Sequence, residues 1–296
     1  MPQRFLIIVN PKSGLLHGVD LAVQAGSFFK SKGIDCTFYE TRRSGDAGQR
    51  VQRSDLNTFD GVCAVGGDGT VHEVVNGIMN REDHLIVPVG VLPAGTGNAL
   101  LSHLDQLDLQ IALSRIVAND VRKIDLMKIQ SNGRTEFSFN MVGWGMMAAG
   151  NRTAEQLRIL GKLRYHAAAL KEIICNPSYR AELTIDRGSL LGPFAFVTAC
   201  KTVYVGNGMK LAPRADLTDG LMDVLVVRNP SRFQLLSVFR KVFTGDHLQL
   251  PELTYRKASY LSLKPIDSTF LNIDGELSQS TGFEIQVMPA VLPLLN

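Results

Sequence analysis

The sequence predicts two domains: an N-terminal α/β domain with a parallel sheet over residues 1–121, and a C-terminal all-β sandwich with helical insertions over residues 122–296. In the first part, continuous apolar runs alternate with apolar residues at helical spacing, which is the pattern of a parallel sheet covered by helices. In the second part, short strand-like segments are separated by turn residues. A chain of 296 residues is long enough for both domains.

The N-terminal domain is predicted to alternate strands and helices along the chain. Strands are expected at the apolar runs 5–9, 36–40, 61–65 and 87–92. Helices are expected where apolar residues recur every three or four positions, over 21–29, 71–78 and 109–116. Gly33 follows the first of these helices as a stop signal.

The C-terminal domain is predicted to contain short strands with two helical interruptions. The strands are expected at 123–129, 136–142, 180–185, 194–200, 222–227, 260–263, 270–273 and 283–287. Turn signals such as Ser131-Asn132-Gly133 and Asp186-Arg187-Gly188 separate neighbouring strands. The helical insertions are expected at about 153–174 and 231–243.

Composition and charge narrow the classes of function. A hydrophobic content of 45% and a net charge of +3 are typical of a packed globular protein, so we expect no nucleic-acid partner. No apolar run approaches the roughly 20 residues that span a bilayer. The four cysteines are scattered, as in a reducing compartment. We therefore expect a cytoplasmic protein whose contact with membranes, if it has one, is peripheral.

A glycine-rich segment joins the predicted strand 61–65 to the next helix: Gly66-Gly67-Asp68-Gly69-Thr70. Gly67 and Gly69 allow the backbone to approach a phosphate, and the helix that begins near Thr70 offers free N–H groups to an anion. The alternative interpretation is a tight turn in which Asp68 or Thr70 caps the helix.

Two further loops of this type follow other predicted strands. Asn10, Pro11 and Lys12 begin a loop that ends at Gly14, and Gly95 and Thr96 lie in a loop between Pro93 and Asn98. The carboxyl ends of parallel strands are where ligands bind in open α/β sheets. Three such loops predict a nucleotide-binding edge, although none has the order of residues of a Walker A loop.

These loops belong to a larger set of motifs that resembles the diacylglycerol kinase and sphingosine kinase catalytic superfamily over nearly the whole chain. The other motifs are Thr41-Arg42-Arg43, His72–Gly77, Ile124-Asp125-Leu126, Gly206–Asp223 and Asp274-Gly275-Glu276. The resemblance implies an ATP-dependent, Mg²⁺-dependent lipid kinase that transfers the γ-phosphate to a lipid alcohol at a membrane surface. It also implies a lipid pocket in the second domain.

The resemblance also implies roles for particular residues in nucleotide and metal binding. Arg158 and Arg164 match arginines that contact ATP phosphates, while Asn10 and Thr41 are expected to help seat the nucleotide. Apart from the resemblance, Asp125, Asp274 and Glu276 are the alternative ligands of Mg²⁺, directly or through water, and Glu276 is also expected at the ATP site.

A second, structural metal site is implied at one turn of the C-terminal domain. Asp216 and Asp219, together with the Leu217 carbonyl, resemble its ligands in the family. The alternative interpretation is an ordinary turn, because carboxylates beside glycine are common in turns.

Two carboxylates compete for the role of general base on the lipid hydroxyl. Asp68 is the first choice because it lies among the phosphate-binding glycines. Asp274 is the second, because the family also uses this aspartate in catalysis. A hairpin turn is the alternative interpretation of Asp274-Gly275.

One departure from the family pattern leaves the identity of the lipid substrate open. The motifs ending at Leu100 and around Trp144 look most like those of sphingosine and ceramide kinases. Sphingosine kinases carry an acidic residue where Asn151 aligns here, and asparagine cannot pair with an ammonium group. A sphingoid base, ceramide and diacylglycerol all stay candidates.

Two other functions are compatible with the same motifs. NAD kinases share the Gly-Gly-Asp-Gly loop and a two-domain plan, although the Pro93–Asn98 and Asp274–Glu276 segments favour a lipid kinase. A non-catalytic lipid or nucleotide sensor on this scaffold is the second alternative, but all the expected carboxylates and glycines are present.

Overall fold

The structure is a computed structural model that describes residues 3–15, 18–95, 97–157, 161, 163–206 and 208–296. Its contacts divide the chain into two compact units. Unit 1 consists of Met1–Ile124 and Ala290–Asn296, and unit 2 consists of Asp125–Pro289. The predicted boundary after residue 121 assigned the whole remainder to the second domain, whereas this division places the last seven residues with unit 1.

Unit 1 contains a parallel sheet whose inner strands are apolar and buried, while the edge strand β2 is largely polar. The strands are β1 (Arg4–Val9), β2 (Asp35–Glu40), β3 (Gly61–Gly66) and β4 (Val89–Pro93), in the order β2-β1-β3-β4. All neighbouring pairs are parallel. Every residue of β3 is buried, as expected for a strand covered on both faces. The predicted parallel α/β domain is confirmed.

Helices connect these strands and supply the rest of the unit 1 core. They are α1 (Gly18–Ser31), α2 (Asp46–Arg53), α3 (Asp68–Met79), α4 (Ala99–His103) and α5 (Leu109–Ala118). Phe5 and Phe29 lie at the centre of one buried cluster, with ring centroids 5.8 Å apart. The sequence analysis did not predict α2 or α4. Only Ala47 and Val51 are buried in α2, so its apolar pattern is too sparse to detect.

Charged side chains hold both ends of the polar helix α2. At the start of α2, the Glu73 carboxylate accepts hydrogen bonds from the backbone N–H groups of Gly45 (2.8 Å) and Ala47 (3.0 Å). At its end, the buried Arg81 guanidinium donates to the carbonyls of Val51 (2.6 Å) and Ser54 (2.9 Å). A carboxylate at the N-terminus and a cation at the C-terminus both match the helix dipole.

Unit 2 contains antiparallel strands in two groups around a common apolar core. One sheet has the order β12-β11-β10-β7-β14-β15, formed by β7 (Met141–Gly145), β10 (Phe196–Cys200), β11 (Met222–Val227), β12 (Leu253–Ala258), β14 (Thr269–Ile273) and β15 (Glu276–Ser280). The other group comprises β5 (Val121–Ser131), β6 (Arg134–Ser138), β8 (Tyr179–Ile185), β9 (Gly188–Phe194), β13 (Tyr260–Pro265) and β16 (Phe283–Leu295). The fully buried Trp144 lies in the core between them. The predicted sandwich is confirmed.

Three helices cover the other face of the sheet that contains β10 and β11. They are α6 (Met146–Gln156), α7 (Arg164–Cys175) and α8 (Arg232–Lys241). Ile173 from α7 and Leu235 and Val238 from α8 are buried there against Phe196 and Leu225. The helical insertions are therefore confirmed. The first insertion, predicted as one stretch, contains two helices. No helix among the described residues is both long and apolar enough to cross a bilayer.

The final strand contributes to both units in turn. The first residues of β16 pair with β13 in antiparallel fashion, with Phe283 opposite Leu263. Its last residues lie beside β4 in parallel fashion, with Leu294 opposite Val89. The predicted strand 283–287 captured only the first of these roles.

Candidate active site

The three predicted phosphate loops follow neighbouring strands of the unit 1 sheet. The loop Asn10–Gly14 follows β1, the loop that begins at Gly67 follows β3, and the loop after Pro93 follows β4. Since β1 pairs with β3 and β3 with β4 in parallel, their carboxyl ends meet at one edge of the sheet. The structure therefore brings these three loops together.

The second and third loops approach so closely that only glycine fits. A Cβ atom added to Gly95 would lie 2.3 Å from the Cα of Gly67, and one added to Gly67 would lie 3.1 Å from the Cα of Gly95. A Cβ atom on Gly97 would lie 2.7 Å from Asp68 Oδ2. The glycines of this pattern are thus required for the packing of one loop on the other.

Asn10 connects the first loop to the second. Its Nδ2 donates to Thr70 Oγ1 (3.2 Å), and its backbone N–H donates to the carbonyl of Val65 (3.0 Å). Its Oδ1 accepts the backbone N–H of Lys12 (3.0 Å), which shapes the turn through Pro11. These bonds occupy Asn10 in positioning the loops, while the Lys12 side chain is exposed.

Thr41 lies immediately after β2, beside the first loop. Its backbone N–H donates to the carbonyl of Val9 (2.8 Å), which extends the pairing of β1 with β2 by one residue. The next helix, α2, is held by Glu73 of α3, a residue to which the sequence analysis gave no role. The sequence offers only an indirect indication of this role of Glu73: Gly45, the N-cap of α2, has no side chain with which to cap the helix, so the cap must come from elsewhere.

Asp68 is the first residue of α3 and links two helix starts. Its Oδ1 accepts the backbone N–H of Ala99, the first residue of α4, at 2.8 Å. Its Oδ2 faces Gly97. Asp68 is half-buried, and Gly69 beside it is half-buried as well. One carboxylate oxygen thus fixes the loop geometry and the second points toward the glycine-rich segment 95–98.

In unit 2, Asp274 and Gly275 form a two-residue turn between β14 and β15. Both have positive φ, 52° and 106°, as a type I′ hairpin requires. The buried Asp274 carboxylate accepts hydrogen bonds through Oδ1 from Ser138 Oγ (2.6 Å) and from the N–H groups of Asn140 (3.1 Å) and Met141 (3.0 Å). The hairpin interpretation is therefore confirmed for the backbone, while a catalytic role for the carboxylate stays a prediction.

These bonds also explain an error in the predicted strands. The predicted strand 136–142 is interrupted, because β6 ends at Ser138 and β7 begins at Met141. Backbone N–H groups at the interruption donate to Asp274 instead of to a neighbouring strand. A side chain more than 130 residues away thus breaks the strand, and local sequence carries no signal of it.

Asn151, on α6, contacts the same turn. Its Nδ2 donates to the carbonyl of Gly275 at 2.6 Å. The neighbouring Arg152 guanidinium lies over the Phe270 ring, 4.7 Å from its centroid, and Glu276 is exposed at the start of β15. Asn151 and the predicted carboxylates Asp274 and Glu276 are therefore grouped at one end of the β14–β15 hairpin.

The structure describes only one of the two arginines that are predicted to bind phosphate. Arg164 begins α7, where its guanidinium lies 3.6 Å from Glu155 Oε1 and 4.7 Å from the Tyr165 ring centroid. Arg158 and Thr96 lie outside the described residues. A phosphate role for these three residues stays a prediction.

Of the predicted ligands of the structural metal, Asp219 contacts a lysine, Lys201, which also contacts Asp125. Lys201 Nζ lies 2.9 Å from Asp125 Oδ2 and 3.1 Å from Asp219 Oδ1, while Asp216 Oδ1 accepts the backbone N–H of Thr218 at 2.8 Å. Within the described ranges, no group of three or more His, Cys, Asp or Glu side chains is arranged to hold a metal ion. The metal assignment stays a prediction, and the sequence analysis had no reason to single out Lys201.

Comparison with known proteins identifies the class to which this architecture belongs. The diacylglycerol kinase catalytic domain family matches residues 4–129, and the family described as the YegS C-terminal NAD kinase beta sandwich-like domain matches residues 140–296. The two matches correspond to an α/β catalytic part followed by a β-sandwich. The two families together cover nearly the whole chain.

The chain belongs to the family described by the YegS C-terminal domain, whose match covers more than half of it, and its N-terminal part is similar to the diacylglycerol kinase catalytic domain. Sphingosine kinase 2 of Arabidopsis thaliana is 26% identical over 89% of this chain and 65% of its own length. The diacylglycerol kinase of Bacillus subtilis is 27% identical over 93% of this chain and 90% of its own length. The chain thus spans 65% of the length of the Arabidopsis relative.

Solved structures support the fold. The crystal structure of a diacylglycerol kinase from Bacillus anthracis str. Sterne aligns with a TM-score of 0.72 at 18% identity, covering 99% of this chain and 96% of that chain. A second structure from the same organism aligns with a TM-score of 0.83 at 22% identity, covering 99% of this chain and 94% of that chain.

Gly95→Ala should weaken both ATP binding and unit 1. The added methyl group would overlap the Cα of Gly67, so the loops must separate, at a cost of about 2 kcal/mol. Isothermal titration with ATP and urea unfolding would measure the two effects. Gly150→Ala is the control, because its methyl group meets nothing closer than Glu172 Cγ at 3.9 Å. Normal ATP binding and stability in Gly95→Ala would contradict the importance of this contact.

Proposed function

We propose that the protein is an ATP-dependent lipid kinase that transfers the γ-phosphate to the hydroxyl group of a neutral lipid alcohol. The observation that carries this proposal is the convergence of three loops on the carboxyl edge of the unit 1 sheet, with a carboxylate, Asp68, among their glycines. Backbone N–H groups of such loops bind phosphates, and phosphoryl transfer depends mainly on positioning and charge neutralisation.

The nucleotide is seated by the loops around Asn10, Gly67 and Gly95, with Thr41 beside them. Support comes from the bonds that fix these loops, because a preorganised anion site has little to rearrange when ATP binds. The exposed Lys12 side chain supplies positive charge for the phosphates.

Mg²⁺ would accompany ATP and neutralise charge on its β- and γ-phosphates when bound. Of the three carboxylates expected to hold it, Glu276 fits best, because it is exposed and magnesium keeps water and phosphate ligands beside one or two carboxylates. Asp125 and Asp274 fit less well, since their oxygens already accept hydrogen bonds from Lys201 and from residues 138–141.

Asp68 acts as the general base, and Asp274 positions the turn that it anchors. Asp68 uses Oδ1 to hold Ala99, and its Oδ2 points to the loop that contacts the phosphates. Asp274 Oδ1 accepts three hydrogen bonds from its own unit, which leaves it poorly suited to receive a proton.

The substrate is a neutral lipid alcohol, such as ceramide or diacylglycerol, rather than a sphingoid base. Asn151 supports this choice: its Nδ2 is engaged by the Gly275 carbonyl, so its amide oxygen is the atom left to accept a substrate hydroxyl. The named relatives include both sphingosine kinases and diacylglycerol kinases, so their names do not agree on the lipid substrate.

NAD phosphorylation is the second candidate, favoured by the NAD kinase-like description of the domain that matches residues 140–296. Incubation with labelled ATP and either NAD or a panel of diacylglycerol, ceramide and sphingosine distinguishes the two. We expect labelled product from a neutral lipid, identified by mass spectrometry, and none from NAD. ATP binding without product from any acceptor would instead indicate a sensor.

Asp68→Asn should lower kcat by about 10²–10⁴-fold with little change in stability, because asparagine keeps an oxygen for the Ala99 N–H but cannot take a proton. Asp274→Asn should mainly lower the thermal midpoint, since a buried carboxylate with several donors is lost. Steady-state kinetics and thermal unfolding on both variants separate these effects. If Asp274→Asn stays folded and loses more turnover, the two roles are exchanged.

Membrane contact is peripheral and uses the outer face of α7 and α8. Leu163 and Ile174 are each 68% exposed and Phe233 is 85% exposed. Asn176, the C-cap of α7, donates to the carbonyl of Pro230 (3.3 Å), which brings the end of α7 to the start of α8. The exposed Ile174 and Phe233 therefore lie beside this junction, here called the α7–α8 face, whereas Leu163 precedes the opposite end of α7.

The charges of the α7–α8 face favour an anionic membrane. Lys171, Arg232 and Arg240 are exposed, and α8 contains no acidic residue. Glu172, the one acidic residue of α7, is buried and accepts a hydrogen bond from Thr153 Oγ1 (2.9 Å). Apolar side chains flanked by basic ones suit a bilayer with negative headgroups. The cytoplasmic location stays a prediction.

The double variant Phe233→Ser with Ile174→Ser should bind vesicles of phosphatidylcholine and phosphatidylserine at least roughly tenfold more weakly, because two exposed apolar anchors are removed. Sedimentation with vesicles measures this, and higher salt should also reduce binding. Val23→Ser is the control, as Val23 is 63% exposed but lies on α1. Equal loss in the control, or no loss in the double variant, would rule out this face.

A further inference from the structure

Lys201 lies directly after β10 and is a fully buried charged side chain beside the predicted structural metal site. It is 0% exposed. Its Nζ donates to Asp125 Oδ2 (2.9 Å), Asp219 Oδ1 (3.1 Å) and the carbonyl of Leu221 (2.6 Å). An ammonium group has three N–H donors, so these three oxygens satisfy it completely.

The oxygens that a metal ion would need at this place are already engaged. Both oxygens of Asp219 accept from lysines, Oδ1 from Lys201 and Oδ2 from Lys257 (2.5 Å). The Leu217 carbonyl accepts the backbone N–H of Asp125 at 2.7 Å. Asp125 Oδ2 also accepts the N–H of Gly220 at 2.7 Å. A divalent cation would therefore have to displace an ammonium group and break this network.

Lys257 supplies a second positive charge from β12. Besides Asp219, its Nζ lies 3.4 Å from Asp223 Oδ2, and Asp223 Oδ1 accepts the hydroxyl of Tyr255 at 2.5 Å. Two ammonium groups thus face three carboxylates in this cluster. The chain itself thus provides two of the three positive charges that would balance these carboxylates.

The cluster joins segments that are distant in sequence. Asp125 lies in β5, Lys201 follows β10, Asp219 lies in the loop before β11, and Lys257 lies in β12. A structural metal ion would hold the same loop to the same strands. The contacts of Lys201, at 2.6–3.1 Å, have the lengths of hydrogen bonds.

We propose that Lys201 is a built-in cation that replaces a structural metal ion in unit 2, so that the loop 216–221 is held without any divalent cation. The requirement of the protein for divalent cations would then be confined to its complex with ATP. This inference does not rest on the proposed kinase activity, because it concerns the stability of the protein without nucleotide or lipid.

The first test is thermal unfolding of the nucleotide-free, full-length protein with EDTA, with MgCl₂ and with CaCl₂. We expect the same midpoint in all three conditions. A midpoint that falls in EDTA and returns with either cation would overturn the proposal, since it would show a structural metal site. This arm uses the wild-type protein, so it does not depend on whether a variant folds.

The second test removes the ammonium group. Lys201→Met keeps the length of the side chain but leaves buried carboxylates without their partner, so the midpoint should fall by roughly 10 °C. Lys257→Met is the matched control, and it should cost less because the Lys257 side chain is 34% exposed. Equal midpoints for Lys201→Met and wild type would overturn the proposal.

A double variant separates charge from packing. In Lys201→Met with Asp219→Asn, one of the two carboxylates that Lys201 contacts is neutralised as well, so part of the lost stability should return. Full additivity of the two losses would show that Lys201 acts through packing alone, and would overturn its role as a cation.

Discussion

The close approach of Gly67 and Gly95 is the constraint on which the arrangement of the candidate active site depends. Both loops follow buried parallel strands, so their positions are set by the sheet, and only the missing side chains allow them to come together. Asp68 takes its orientation from this packing, because its partner Ala99 follows the second of these loops. The geometry of the candidate site is therefore a consequence of backbone contact.

In unit 2, the segments around Asp274 and Lys201 are fixed by buried charged side chains rather than by glycines. The Asp274 carboxylate and Lys201 each gather partners from several strands. In both cases a buried charge is tolerated because almost every hydrogen-bonding position around it is used. Burial, which would penalise an isolated charge, makes these two residues effective at fixing the segments around them.

The glycine loops and the order of the elements could be predicted because they depend on local pattern. Buried strands such as β3 read as apolar runs, and the loops follow them directly. The partners of Glu73, Asp274 and Lys201 could not be predicted, since each bond joins segments far apart in sequence. Helix α2 could not be predicted because only two of its residues are buried and its ends are held by charged side chains from outside the helix. The apolar run 291–295 did carry a signal for a strand beside β4, because such runs are typical of parallel sheets.

The return of residues 290–296 to unit 1 has a consequence for how the chain folds during synthesis. The strand that lies beside β4 emerges only after all of unit 2 has been made, and Asn296 then donates to the carbonyl of Asp120 at 3.0 Å. Until that moment one edge of the unit 1 sheet stays open. All residues of unit 2 are synthesised before this strand, so unit 2 can fold first. The sheet of unit 1 is completed only by pairing between residues far apart in sequence, and such contacts form slowly.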